Sequence, residues 1–264
     1  MQRTPRTIKL VPLTSLDVES QLKVRSIRNE DNVRKWMYTD HQISVSEHLG
    51  WVNSLKSNDQ QIVFVVLDDG VTPVGVVSVN AIDSLQNRAD WAYYLSESVR
   101  GGLGSALEYF FVDFVFETMG LDKLNCEVIE GNDSVVKLHG KFLFKDEGFR
   151  ASNIQKDGTR IGIHLFGLTR EDWMGGRSEV FAKHSGAFSR FNVSIDWTPN
   201  EKSTDVLEDI QKARAKNNFN WMGVLKLALQ KSPEAAGDLV KDIQKMDSEI
   251  SQLTEKLILD DADG

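Results

Sequence analysis

The chain has 264 residues, 41% of them hydrophobic, with 31 Lys plus Arg against 39 Asp plus Glu and a net charge of −8. That is the balance of a globular chain; it lacks the basic footprint of a general nucleic-acid binder, and no apolar run approaches the roughly 18 residues of a membrane span. A single cysteine, Cys126, rules out an intrachain disulfide and points to a reducing, cytoplasmic setting.

Residues 1–6 are basic, but no apolar core follows them as in a secretion signal. Residues 7–13 predict a short strand. Thr14 or Ser15 is placed to cap a helix reaching Asn29, with Leu16, Leu22, Val24 and Ile27 as apolar positions. Residues 33–38 are short and amphipathic. Ser44 or Ser46 opens another helix, with Val45, Leu49, Val52 and Leu55 at helical spacing. Three strands follow at 61–67, 74–82 and 89–95. They are joined at Asp68-Asp69-Gly70 and near Asn87, as in an antiparallel meander.

The period then changes. Gly101-Gly102-Leu103-Gly104 precedes a run in which Leu103, Leu107, Phe110, Phe111, Phe114 and Val115 recur at helical spacing, a helix buried on one broad face. A strand at 123–129, a helix at 132–142 and a final strand at 161–168 complete an α/β domain over 1–175. Met174-Gly175-Gly176-Arg177 reads as a boundary, residues 176–203 as a linker or irregular extension, and 204–264 as a helical region. There Leu239, Ile243, Met246, Ile250, Leu253 and Leu257 form a heptad seam. The seam packs on Trp221, Met222, Leu225 and Leu229 of the same chain, or pairs two protomers as a homo-oligomer.

Two segments carry chemistry. Arg100-Gly101-Gly102-Leu103-Gly104-Ser105 lies between a strand and a helix. Asn132-Asp133-Ser134-Val135-Val136-Lys137-Leu138-His139 is followed by Lys145-Asp146-Glu147-Gly148. With these motifs, residues 7–173 resemble the GNAT-type N-acetyltransferases. The resemblance implies a mixed, centrally splayed sheet with helices on both faces, and acetyl-CoA as co-substrate with no metal. Arg28-Asn29, Val33-Arg34-Lys35-Trp36-Met37-Tyr38-Thr39 and Glu47-His48-Leu49 narrow the resemblance to the UDP-amino-sugar acetyltransferases of pseudaminic acid synthesis, whose product decorates flagellin or surface glycans. The sequence departs from the family's pattern where Val99 stands for a Gln or Arg, where His139 stands for a Tyr, and where Leu143-Phe144 stands for a Gly-Phe.

The chemistry fits the residue types. A glycine-rich turn lets backbone reach a diphosphate, and a helix N-terminus supplies free N–H donors and partial positive charge. Arg100, Gly101, Gly102, Leu103, Gly104 and Ser105 meet that need. Asn132 is either a helix cap alone or a cap that also touches the coenzyme's pantetheine arm. His139, two turns on, is the candidate acid for the departing thiolate, against the plain reading of a packed histidine. The attacking amine must lose a proton. Asp90, on an apolar strand, is either the acceptor or a paired structural carboxylate, and His48 is its rival. By resemblance, a backbone N–H near Tyr94 or Leu95 holds the oxyanion. Cys126 reads as a buried small hydrophobe, and no nucleophilic Ser or Cys pattern suggests an acyl-enzyme. Arg28, Asn29, Arg34, Lys35, Trp36, Met37 and Tyr38 gather cations and aromatics for a UDP-sugar. Two further readings stay open: a protein N-terminal acetyltransferase, and a noncatalytic CoA-binding interaction protein.

Overall fold

The computed structural model describes residues 4–99 and 101–198, most of a first compact unit, Met1–Trp197. Arg100, the helices expected from residue 204 and the 239–257 seam lie outside the described residues.

Eight strands form one sheet in the order β6-β7-β5-β4-β3-β2-β1-β8. The elements are β1 (Arg6–Pro12), α1 (Val18–Arg28), α2 (Asp31–Arg34), α3 (Val45–Leu55), β2 (Ile62–Asp68), β3 (Thr72–Asp83), β4 (Arg88–Leu95), α4 (Leu103–Glu117), β5 (Lys123–Ile129), α5 (Asp133–Lys141), β6 (Lys145–Lys156), β7 (Thr159–Thr169), α6 (Arg170–Phe188) and β8 (Phe191–Ile195). Strands β1 to β4 pair antiparallel as the expected meander. β4 meets β5 in parallel, β7 lies antiparallel between β5 and β6, and β8 runs parallel to β1.

The sheet is covered on both faces. Phe64 and Val66 of β2 join the cluster around α4, while Val63, Val65 and Leu67 join a second one with Val24, Val52 and Leu55 of α1 and α3. A strand buried on both faces reads as an unbroken apolar run, which is what 62–67 shows. Phe64 meets Phe111 and Phe114 of α4 edge-on. Burying each such ring contributes about 1.5–3 kcal/mol. Asp113 of α4 accepts from Trp173 Nε1 at 3.0 Å and Arg177 Nη1 at 2.6 Å, tying α4 to α6.

Several boundaries differ from the sequence expectation. Asp17, not Thr14 or Ser15, caps α1 by accepting from the Ser20 N–H. Ser44 caps α3 in a capping box with Glu47. The region around 174–177 is not a break in the chain, because α6 runs straight through it. A side chain at position 176 would collide with Leu143, so this glycine serves close packing of the helix rather than a linker. Within 176–203, the second half of α6 and β8 belong to the first unit. β6 went unseen because nearly all of its residues are exposed, and two register irregularities break its alternation.

Candidate active site

The sheet opens at its centre. β4 and β5 pair only at Arg88–Lys123, Ala89–Leu124 and Asp90–Asn125. Beyond that point β4 stays on β3 as far as Leu95, while β5 stays on β7 as far as Ile129. The two strands therefore part, and a wedge-shaped cavity of about 240 Å³ lies between them. Ser96 N donates to Val74 O beside the Leu95–Gly75 pair, which makes that pair a non-hydrogen-bonded one. By alternation, Trp91, Tyr93 and Leu95 turn their N–H and C=O groups away from β3. The N–H groups of Tyr93 and Leu95 thus open onto the wedge. Gly75 permits this course: a side chain there would overlap the Tyr94 carbonyl and Leu95.

The glycine turn lies just beyond. Gly101 and Gly102 have φ of +89° and +87°, with nothing within 4 Å of where a Cβ would stand. Gly102 is the N-cap of α4 and, lacking a side chain, leaves the first-turn N–H groups open. Gly104 and Ser105 are half-buried and Leu103 belongs to the core. Arg190, which the sequence reading passed over, reaches the Gly101 carbonyl with Nη1 at 3.5 Å and sets a cation beside the turn. Bare backbone, open space and a helix N-terminus suit a diphosphate.

The wedge is lined by Asn132 and His139 on one side and by Trp36 and Met37 on another. Asn132 takes the N-cap position of α5, but its side chain makes no cap bond. Its Oδ1 accepts from Ser134 Oγ at 3.1 Å. His139 is buried, and its Nδ1 lies 2.7 Å from Oε1 of Glu108, which is itself buried completely. Glu108 escaped the sequence reading because it stands inside a run of apolar helix positions.

A second cavity, of about 310 Å³, lies on the α1/α3 face of the sheet. Arg28, Glu47, His48, Trp51, Gln61 and Ser78 line it, and Tyr94 borders both cavities. Arg28 Nη2 donates to the Thr39 carbonyl at 3.1 Å, while its buried Nη1 has no partner among the described residues. His48 is buried, with Nε2 2.8 Å from the Gln21 carbonyl. A carbonyl only accepts, so Nε2 carries the hydrogen and Nδ1 the lone pair. Burial pushes the imidazole below its ordinary range and keeps it neutral. Asp90 borders neither cavity; its Oδ1 accepts from Asn125 Nδ2 at 3.1 Å.

The expected substrate residues divide. Arg28 enters the second cavity; Trp36 and Met37 enter the wedge. Asn29 exchanges two 2.9 Å hydrogen bonds with the backbone of Ile43. Arg34 holds Asp31 and the Asp40 carbonyl, and Lys35 lies over the Trp36 ring at 5.3 Å. The Tyr38 hydroxyl donates to Glu127, which also accepts from Arg150. Lys156, at the end of β6, donates to the carbonyls of Lys35 at 2.7 Å, Met37 at 2.9 Å and Arg34 at 3.3 Å. It thereby pins the turn that walls the wedge. Among the described residues there is no group of three or more His, Cys, Asp or Glu placed to hold a metal, and no helix long and apolar enough to cross a membrane.

Residues 7–145 match the acetyltransferase (GNAT) domain family. An uncharacterised N-acetyltransferase, p20, of Bacillus licheniformis is 24% identical over 126 residues, which is 47% of this chain and 71% of that protein. The spermidine N-acetyltransferase of Vibrio cholerae, solved with CoA and spermine, superposes with a TM-score of 0.58 at 17% identity, over 65% of this chain and 99% of that one. RimJ of Mycobacterium smegmatis, solved with CoA-disulfide, gives 0.57 at 15% identity, over 67% and 92%. At these identities the solved structures share the fold, with its mixed, open sheet.

Proposed function

The chain belongs to the GNAT acetyltransferase family, and from that premise we propose that it transfers acetyl from acetyl-CoA to the 4-amino group of a UDP-linked amino sugar, of the kind used to build pseudaminic acid for flagellin or surface glycans. The unpartnered Nη1 of Arg28 carries the choice of acceptor. A buried guanidinium N–H seeks an acceptor oxygen. A polyamine, cationic and rich in donors, would leave it unpaired. A phosphate, a uracil carbonyl or a sugar hydroxyl would satisfy it, and the nearby face of Trp51 suits a base or sugar ring.

Acetyl-CoA brings an activated acyl group and a thiolate leaving group. The open turn at Gly101, Gly102 and Gly104, with Ser105 and Arg190, receives the diphosphate. The N–H groups of Tyr93 and Leu95 meet the carbonyl oxygen as it gains charge. Asn132 faces the pantetheine arm in the wedge. His48, with its lone pair on Nδ1 and a place in the acceptor cavity, takes the amine's proton in preference to Asp90. His139 returns a proton to the leaving sulfur. The single buried thiol, Cys126, fits a reducing, cytoplasmic compartment.

The test is thiol release from acetyl-CoA in the presence of a UDP-4-amino sugar, spermidine or a peptide with a free N-terminus, with the mass of each product. The reading expects one acetyl gained by the nucleotide sugar at a kcat/KM at least tenfold above the other two. Preference for the peptide would favour N-terminal acetylation, and preference for spermidine would overturn the part given to Arg28.

A further inference from the structure

Glu108 stands in the middle of α4 with no exposed surface, in a helix whose buried positions are otherwise apolar. An unpaired carboxylate there would cost several kcal/mol. Its one polar contact among the described residues is His139 Nδ1 at 2.7 Å, and Oε2 has no partner. Around the imidazole lie Trp91, Phe144 and Phe166. Tyr93 of β4 and Cys126 of β5 also feel Glu108, and burial holds both in their neutral forms. Among the described residues, His139 is the one side chain that counters the burial of Glu108.

The number of protons on the pair follows from this setting. An anionic pair, with one proton on the shared bond, leaves a net charge among aromatic rings. A net-neutral pair has a proton on the shared bond and another on Nε2, because His139 borders the wedge, whereas a proton on Oε2 would be a buried donor with no acceptor among the described residues. Burial pushes the Glu108 carboxyl up and so favours the second state. In that state Nε2 carries a hydrogen whether the shared proton rests on Nδ1 or on Oε1. Nε2 has no partner among the described residues, and His139 lines the wedge.

We propose that Glu108 is a positioning residue that makes His139 a proton donor at Nε2, so that the two side chains act as one acid for the departing thiolate. This rests on the acetyl-transfer reading above. In the step, the C–S bond breaks and its electron pair stays on sulfur. The Nε2–H proton moves to that sulfur, and the electrons of the N–H bond stay on the ring. The pair is left with one shared proton and a net negative charge. A proton from solvent resets it, balanced by the one the amine gave up.

The experiment compares E108Q, H139F, E108Q/H139F, H139Y and E108Q/H139Y in the full chain, reading kcat, the KM for acetyl-CoA and Tm. E108Q and H139F are each expected to lower kcat about 10²-fold, the usual contribution of a general acid, with KM changed less than about twofold. The double variant should be no slower than the worse single one. A phenol brings its own proton, so E108Q/H139Y should match H139Y. Wild-type kcat in E108Q, or losses that multiply in the double variant, overturns the inference. If H139F keeps full kcat, the acid role of His139 itself falls; if only H139F is slow, Glu108 alone loses its role. Nitrogen-15 NMR of the wild-type imidazole needs no variant: a hydrogen on Nε2 at neutral pH is expected, and a bare Nε2 overturns the proposal.

Discussion

The two cavities that meet at Tyr94 are built by different means. The wedge is made by backbone: two strands that part, glycines at positive φ, and amides turned toward a gap. The cavity on the α1/α3 face is made by side chains, with Arg28, His48, Trp51 and Ser78 drawn from three separate elements and Gln61 from the residue before β2. A main-chain site accepts whatever shares a common handle, whereas a side-chain site can be rebuilt residue by residue. One fold can thus keep its acyl donor while its acceptor changes.

The sharpest way to break the wedge side is Gly102→Val. A β-branched residue at this φ brings strain of about 1–3 kcal/mol, and its side chain would stand in the open space over the start of α4. Losing two charge-assisted backbone contacts to the diphosphate should weaken acetyl-CoA binding by at least about 10²-fold, read by calorimetry, while acceptor binding to the free enzyme changes little. Unchanged coenzyme affinity would mean that the turn does not hold the diphosphate.

Arg28→Met addresses the other cavity and should leave the coenzyme alone. Removing a buried charged hydrogen bond is worth about 1.5–3 kcal/mol, or roughly 10- to 150-fold in the KM for an oxygen-rich acceptor. The KM for acetyl-CoA should stay at its wild-type value. An acceptor KM that is unchanged or improved would indicate that Arg28 repels the amine rather than holding its carrier.

The same contrast explains what the sequence disclosed. The wedge was legible because glycines and a change of hydrophobic period are local signals: Gly101, Gly102, Leu103 and Gly104 are contiguous, and the strand and helix on either side have distinct spacing. The cavity on the α1/α3 face was not legible. Trp51 and Ser78 are 27 residues apart and converge only in the folded sheet, and the cluster at residues 28–38 looked like one binding face until Asn29 and Arg34 proved to hold backbone. Glu108 was hidden by its apolar neighbours, and Lys156 by a strand with no periodicity.

Lys156 lies on the border between the two regimes, since a side chain there holds backbone that walls the wedge. Lys156→Met removes the ammonium donor from the carbonyls of Lys35 and Met37 and from that of Arg34, which keeps the Met37 N–H. The expected cost is about 1–3 kcal/mol, at roughly 2–4 °C of Tm per kcal/mol for a unit of this size. Faster amide exchange at Trp36, Met37 and Tyr38, with a several-fold rise in KM, would place the pin in the working site. Lost stability with unchanged exchange there would make it a fold contact only.

The smallest effect expected is a change in slope. Burial is the main cause of the lowered basicity of His48, with nearby Arg25 adding to it and the Gln21 carbonyl opposing it. In the unfolded chain the imidazole gains a proton as pH falls past about 6.5, whereas the folded one resists until lower pH. The unfolded state then binds more protons, so this stabilisation is complete above that range and is lost as pH falls. His184 is depressed in the same direction and adds to the slope, so only the difference between wild type and His48→Gln isolates His48. Glutamine can still donate to the Gln21 carbonyl but takes up no proton. Its Tm should therefore fall less steeply than the wild type's between pH 6.5 and 5. Parallel curves would show that His48 titrates in the fold as it does in the open chain. Its Nδ1 would then be protonated over the same range as any exposed imidazole, and the acceptor cavity would lose its neutral base.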